Sequence, residues 1–139
     1  MKIHSVRIHL STRGNTEITN ITGTVQKELD RSDLSDGIVT VFVPGATGSI
    51  TTMEYEPGLI KDTTNIFRQL VDDTATYSHD ASHTVGNASS HLRATLVGPS
   101  LVVPFENRKL SLGTWQQIVF IDFDNRPRKR EIILKFLGL

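Results

Sequence analysis

The chain has 139 residues, carries 15 basic and 15 acidic side chains, and contains no cysteine. This length, with a hydrophobic content of 37%, fits a single domain over residues 1–139 that is large enough to bury a core. The balanced charge argues against nucleic acid or an anionic membrane as a partner, and the absence of cysteine excludes disulfides, thiolate metal sites and thiol nucleophiles.

The first element predicted along the chain is a strand. The N-terminal sequence MKIHSVRIHLST alternates with period two over residues 3–10, as a half-buried strand does. It lacks the apolar core of a signal peptide, and no segment approaches the length of a membrane span, so we expect a cytoplasmic protein without a membrane partner. A helix should follow, because apolar residues recur at helical spacing from Ile18 to Leu29.

Two strands and a second helix are predicted in the middle of the chain. The β-branched run over residues 38–43 predicts a buried strand that stops at Pro44, and residues 49–55 predict its successor. Pro57 suits the first turn of a helix. The residues of that helix expected to face the core are Ile60, Thr63, Phe67, Leu70 and Val71.

The C-terminal half begins with a long polar loop and ends in strands. Residues 72–88 show no periodicity, and long loops inside compact domains are often functional. A short helix is expected over residues 89–97. The strands predicted after it cover residues 100–105, 109–112, 115–124 and 130–137.

These elements predict an α+β fold, a sandwich-like single domain with a mostly antiparallel sheet and two main helices. Residues 38–43 and 101–105 are too continuously apolar for strands with one solvent-facing side. They need two covered faces or a partner subunit.

Three histidines in the polar loop region are the first candidates for chemistry. His79 and His83 have the spacing of two ligands on a helical turn, and His91 follows within the same region. Imidazole suits zinc and other divalent ions, and Glu54 is the best carboxylate donor to complete a three-ligand site. The alternative is a set of solvated loop histidines.

Several further side chains could bind a phosphorylated small molecule. Gly45, Thr47 and Gly48 allow close approach of an anion to backbone N–H groups, but no Walker A motif is present and a tight turn between strands explains them better. Asn87 and Ser90 could contact an anion near a helix start, and the planar fork of Arg93 matches oxyanions. An ion pair between Arg93 and a carboxylate of a neighbouring subunit is the alternative.

Trp115, Gln116 and Gln117 place an indole beside two amides. They could stack on and hydrogen-bond a heteroaromatic ring such as a pyrimidine, or form a structural hydrogen-bond network at a subunit contact. The basic turn over residues 126–130 is flanked by Asp122 and Asp124, which favours a solvated surface.

The stretch GNASSHLRATLVGPSLVVPFENRKLSLGTWQQIVFIDFD, residues 86–124, resembles the YjbQ-like family. That resemblance implies a subunit that trimerises through its sheets, and a secondary thiamine-phosphate synthase activity that transfers a pyrimidine from its diphosphate to a thiazole phosphate. Such chemistry would use a divalent metal, Mg or Zn. The catalytic residues implied are Glu54 and His91, the metal ligands His79, His91 and Glu54, and the substrate-binding residues Asn87, Ser90, Arg93, Trp115 and Gln116.

One position departs from the family pattern. Many members carry His-Thr-Ser or His-Thr-Thr directly after the Val-Phe-Val strand, where this chain has Gly45 at the histidine position. His83 matches no family element. The lost imidazole favours an alternative function, a non-catalytic protein that binds a metal or small ligand.

Overall fold

The computed structural model describes residues 1–82 and 85–139 and contains eight strands and four helices. The prediction for His83 lies outside the described residues. The strands are β1 (Lys2–Thr12), β2 (Glu17–Asn20), β3 (Gly37–Phe42), β4 (Gly48–Glu54), β5 (Ser100–Glu106), β6 (Lys109–Leu110), β7 (Gln116–Asp122) and β8 (Arg128–Gly138). The helices are α1 (Thr22–Arg31), α2 (Pro57–Leu70), α3 (Ser78–Ser82) and α4 (Ala88–Val97).

A five-stranded antiparallel sheet with the order β1-β8-β3-β5-β6 forms one layer. Period-two alternation sends one side of each strand inward, and the side chains of Val39, Val41, Leu134 and Phe136 are fully buried there. Helix α1 contributes Val25 and Leu29 to the same core. The predicted α+β class with mostly antiparallel strands is confirmed.

A three-stranded antiparallel sheet, β2-β7-β4, lies between that core and helices α2 and α4. On one side, Ile118 and Phe120 of β7 join the core of the larger sheet. On the other side, Val119 and Ile121 pack in a second cluster with Phe67 of α2 and with α4. Both faces of β7 are therefore covered, which explains its continuous apolar sequence.

The outer face of the larger sheet is left open within the chain. Ile38, Val102 and Leu137 are 40%, 55% and 36% exposed, and Ile38 pairs directly with Leu137 across β3 and β8. The strand β3 thus has one covered face, and no residue that the structure describes covers the other.

The structure corrects three details of the predicted elements. Ile18 lies in β2, paired with Ile121, because the first helix begins only at Thr22, after Asn20 Oδ1 accepts the Thr22 N–H at 3.0 Å. Leu70 at the end of α2 is 66% exposed rather than in the core. Helix α3 lies within the predicted loop and was not expected, whereas α4 matches the short helix predicted over residues 89–97. No helix in the described part of the chain has the length and apolarity to cross a membrane.

Candidate functional site

Helix α4 places His91 against the turn that follows β3. The His91 Nδ1 lies 3.0 Å from the carbonyl oxygen of Ala46. A carbonyl oxygen only accepts, so Nδ1 carries the proton and Nε2 is the lone-pair nitrogen of the neutral ring. A histidine held in this way can accept a proton or bind a cation through Nε2.

The imidazoles of His79 and His91 lie side by side, with ring centroids 4.8 Å apart. Asp80 links the two helices that carry them, because its Oδ1 lies 3.4 Å from His79 Nδ1 and accepts the Ala88 N–H at 3.0 Å. The structure thus brings together two of the three predicted metal ligands, His79 and His91.

A buried ion pair stands behind His91. Arg130 is 5% exposed and Asp122 is fully buried; Arg130 Nε and Nη2 each donate to one carboxylate oxygen at 2.8 Å. Thr12 Oγ1 also donates to Asp122 at 2.5 Å, and Arg130 Nη2 donates to Thr47 Oγ1 at 2.8 Å. Because each charge has an opposite charge and further hydrogen bonds, this pair is satisfied inside the protein.

A second carboxylate, Asp124, is also fully buried. Burial would raise the pKa of Asp124, but hydrogen bonds from the Asn125 N–H, Asn87 and Arg128, with the charge of Arg128, outweigh it and lower the pKa. Arg128 Nη1 lies 2.5 Å from Asp124 Oδ2. The site therefore contains two buried aspartates, each paired with one arginine.

These groups border a pocket of about 440 Å³, which we call the cationic pocket. Its cationic lining residues are Arg126, Arg128, Lys129 and Arg130. His91, Asn87 and the turn over residues 44–47 complete the wall, and Glu131 is its one acidic lining residue, paired with Arg7. Among the described residues no ion pair involves Arg126 or Lys129.

The sequence interpretation of this region as a solvated surface is wrong for Arg130, Asp122 and Asp124, which are buried. The residues stand where β7 ends and β8 begins; the two strands belong to different sheets and are joined here by the turn over residues 123–127. The signal that could have found them is the spacing Asp122-x-Asp124 followed by Arg128-x-Arg130, since residues two apart on a strand share a face.

Gly45 lies in the wall of the cationic pocket with a backbone φ of +126°. A Cβ atom there would lie 3.4 Å from Arg130 Nη1, and L side chains rarely adopt this backbone conformation. The position that holds histidine in many relatives of this pattern is therefore shaped for glycine in this chain.

Glu54 lies apart from the histidines within the chain. His91 contacts the turn before Gly48, whereas Glu54 ends β4, six residues further on and paired with Gln116. Six residues of strand span about 20 Å. No group of three histidine, cysteine or acidic side chains within residues 1–82 and 85–139 could hold a metal ion. The predicted ligand set of Glu54, His79 and His91 is not assembled, because β4 separates its members.

Trp115 and Gln116 share the distant end of β4 and β7 with Glu54. Trp115 is 72% exposed, and the Gln116 amide donates to Thr52 Oγ1 at 3.1 Å and accepts the Gly113 N–H at 3.1 Å. Gln117 Oε1 accepts from Asn20 at 3.2 Å. Both amides therefore form hydrogen bonds within the chain, and the indole of Trp115 is exposed to solvent.

Ser90 and Arg93 lie on a different side of α4 from His91. Arg93 is 4% exposed; it donates to the carbonyl of Val71 at 2.7 Å and pairs with Asp73 at 2.9 Å. Arg93 was expected either to bind an oxyanion or to pair with a carboxylate of a neighbouring subunit, and its carboxylate partner belongs to the same chain. Burial would raise the pKa of Asp73, but hydrogen bonds from Arg93 and Ser89, with the charges of Arg93 and Arg68, lower it. Ser90 and Arg93 line a separate cavity of about 220 Å³. The predicted substrate-binding residues therefore fall into three groups: Asn87 at the cationic pocket, Ser90 and Arg93 at this cavity, and Trp115 and Gln116 at the far end of β4.

Comparison with known proteins gives consistent matches along the chain. A family model described as UPF0047 protein YjbQ-like matches residues 6–139. A UPF0047 protein of Archaeoglobus fulgidus is 40% identical, over 95% of this chain and 100% of its own. A second, from Methanothermobacter thermautotrophicus, is 36% identical over 99% and 94%. The crystal structure of a YbjQ-like protein of unknown function from Sulfolobus solfataricus P2 has a TM-score of 0.94 at 30% identity, over 99% of both chains.

Proposed function

Because this chain belongs to the YjbQ-like UPF0047 family, a family of uncharacterised proteins, we propose its function from its own site: it binds a phosphorylated small molecule in the cationic pocket. The observation that carries the proposal is the lining of four cationic side chains around His91 and Asn87. Two of the cations, Arg126 and Lys129, are not neutralised by an ion pair in the described part of the chain.

The charge and geometry of this lining suit a phosphate group. Arg128 and Arg130 are held by Asp124 and Asp122, so their positions are fixed before a ligand arrives. Arg126 and Lys129 supply the surplus positive charge, and guanidinium groups match phosphate oxygens through paired N–H donors. The Asn87 side chain also lines the pocket and offers an amide. A preorganised site of this kind binds an oxyanion with little rearrangement.

His91 gives the pocket a group that can exchange a proton. In the neutral ring its Nε2 is an acceptor, because Nδ1 is held by the Ala46 carbonyl. In the protonated ring it adds a further positive charge beside the phosphate. It therefore suits either a general acid–base role or the recognition of a phosphate monoanion.

The finer hypothesis is a transfer reaction of the secondary thiamine-phosphate synthase type. In that reaction the bond between the pyrimidine methylene carbon and the diphosphate oxygen breaks, and the thiazole nitrogen forms the new C–N bond. The diphosphate leaves with the electron pair, and Arg126, Arg128 and Lys129 would stabilise its developing charge. The described residues do not assemble the implied divalent-metal site, so no step is assigned to a metal ion.

The test is a titration with inorganic phosphate followed by calorimetry. The variant Arg126→Gln/Lys129→Gln removes two exposed cations that form no ion pair with any residue the structure describes, and we expect at least about a tenfold loss of affinity. Lys61→Gln on α2 is the matched control, because it removes an exposed charge that lies outside the pocket. Equal affinities in all three proteins would contradict the proposed binding site.

Turnover is tested separately with the pyrimidine diphosphate and the thiazole phosphate. Diphosphate release that falls in His91→Ala far more than the melting temperature falls would support transfer. If the protein binds phosphate but releases no diphosphate, the transfer activity is excluded and the protein is a non-catalytic ligand-binding protein.

A further inference from the structure

A crevice of about 350 Å³ adjoins the cationic pocket beside helix α4. It shares Gly45, Ala46 and His91 with the wall of that pocket, and its other lining residues are Gly48, Ala94, Thr95, Gly98 and Pro99. We call it the apolar crevice, and we propose that it binds a hydrocarbon group attached to the phosphate. This inference rests on the proposed phosphate site and names the class of its ligand, an alkyl phosphate monoester.

The side chains that line the apolar crevice offer a ligand few polar groups. Six of its eight lining residues are glycine, alanine or proline. The hydroxyl of Thr95 donates its proton to the His91 carbonyl at 2.9 Å. The imidazole of His91 borders both the crevice and the cationic pocket, and its Nδ1 is held by the Ala46 carbonyl. The crevice therefore presents mainly short apolar side chains and bare backbone.

The backbone groups beside the crevice are engaged as well. The Gly98 N–H donates to the Ala94 carbonyl at 2.8 Å, and the Gly98 carbonyl accepts the Ile50 N–H at 3.3 Å. Pro99 has no N–H, and its carbonyl accepts the Val43 N–H at 2.9 Å. A polar group placed against this wall would lose hydrogen bonds to water without replacing them, whereas a hydrocarbon group has none to lose. The lining therefore favours an apolar group.

The junction between the crevice and the cationic pocket fixes the form of the ligand. Gly45 stands at this junction with a φ of +126°, and a Cβ atom there would lie 3.4 Å from Arg130 Nη1. Glycine leaves the junction clear of a side chain. A phosphate among the cations can thus extend its ester group past His91 into the crevice. A closed cavity of about 150 Å³ holds benzene, so the crevice has room for about four to six carbons.

The experiment is a calorimetric titration of the full chain with phosphate monoesters that differ in the ester group. Butyl phosphate should bind about tenfold more tightly than methyl phosphate. A fully buried methylene strengthens binding about fourfold, and three that are partly buried give this smaller total. Propyl phosphate should bind at least about fivefold more tightly than glycerol 3-phosphate, which has the same carbon chain and charge but carries two hydroxyls.

Two variants of α4 test whether the crevice is the source of this preference. Thr95→Phe places a ring in the crevice from an exposed position, and it should bring the affinities for butyl and methyl phosphate to within about twofold of each other. Leu92→Phe is the matched control, because it adds the same ring at an exposed position of α4 outside the crevice. It should keep the tenfold preference for butyl phosphate.

The inference is overturned if butyl phosphate binds no more tightly than methyl phosphate, or if glycerol 3-phosphate matches propyl phosphate. It is also overturned if Thr95→Phe keeps the full preference for butyl phosphate. In each of these cases a chain that still binds inorganic phosphate retains the proposed phosphate site and loses only the hydrocarbon specificity. A chain that binds neither inorganic phosphate nor any monoester contradicts both.

Discussion

Arg130 and Asp122 are joined by two hydrogen bonds of 2.8 Å in a part of the protein that solvent barely reaches. The pair connects β7 of the smaller sheet to β8 of the larger one. It therefore holds together the two sheets and one wall of the cationic pocket.

The first prediction concerns this ion pair. Arg130→Met leaves the Asp122 charge buried without its partner, and we expect a loss of about 3–5 kcal/mol in the free energy of unfolding, measured with urea. The double variant Arg130→Met/Asp122→Asn removes both charges and should recover more than half of that loss. Arg7→Gln, which breaks the exposed pair with Glu131, should leave the melting temperature nearly unchanged. A single variant as stable as the unaltered chain would show that the pair is not structural.

The second prediction concerns Gly45→His, which introduces the imidazole found in many relatives. The backbone φ of +126° is strained for any L side chain, and the new Cβ would meet Arg130. We expect a destabilisation of about 1–3 kcal/mol and no gain in phosphate affinity. Gly45→Ala is the matched control for backbone strain. A rise in synthase rate or metal affinity in Gly45→His alone would mean that the missing imidazole limits the activity.

The third prediction is a loss of stability in acid. The folded-state pKa of Asp124 is lowered, so its contribution to stability is present above the unfolded pKa of about 3.9 and is lost as the pH falls through the lower folded value. Melting temperatures should therefore drop steeply below about pH 4. Asp124→Asn should be less stable at pH 7 and should show a shallower drop in acid. Parallel curves for the two proteins would argue against this role for Asp124.

The fourth prediction concerns metal removal. The described residues bring only two imidazoles together and no third ligand of the kinds that hold metals, so phosphate binding should not depend on a bound ion. Dialysis against a chelator should leave the phosphate affinity within about twofold of its starting value. A loss of tenfold or more that Mg²⁺ or Zn²⁺ restores would instead support the divalent site expected from the family resemblance.

The fifth prediction concerns self-association. We propose that the open face of the larger sheet, with Ile38, Val102 and Leu137, is the subunit contact of a homotrimer, because apolar patches of this kind mark interaction surfaces. Val102→Glu should shift the mass measured by light scattering towards a monomer. Thr24→Glu, which adds the same charge on exposed α1, should not. A stable monomer of the unaltered chain at micromolar concentration would exclude the trimer.

The elements of this fold could be predicted where periodicity is local. The alternation in β1 and the β-branched run in β3 identify both strands, because their hydrophobic pattern repeats within a few residues. Ile18 was misassigned, since its spacing to Ile21 and Val25 fits a helix although its partner is Ile121 of a distant strand. Pairing between strands far apart in sequence leaves no local signal.

The site was predictable only in part for the same reason. The family resemblance groups His79, His91 and Glu54 in one predicted site, and the structure brings only the two histidines together. Strand register determines that Arg130 pairs with Asp122. It also places Glu54 at the other end of β4 from the histidines. Register is fixed by the packing of the whole sheet, and single residue types do not encode it.

The strand β8 carries its inward residues on one continuous face, from Arg128 and Arg130 at the pocket to Ile132, Leu134 and Phe136 in the core. The same face of one strand therefore carries both the binding groups and the core residues. A change of ligand preference that preserves the sheet would therefore arise in the exposed turn over residues 125–127. The turn over residues 44–47 is less free to vary, because Gly45 has a positive φ and Thr47 is buried against Arg130. Engineering of a new specificity should begin at residues 125–127.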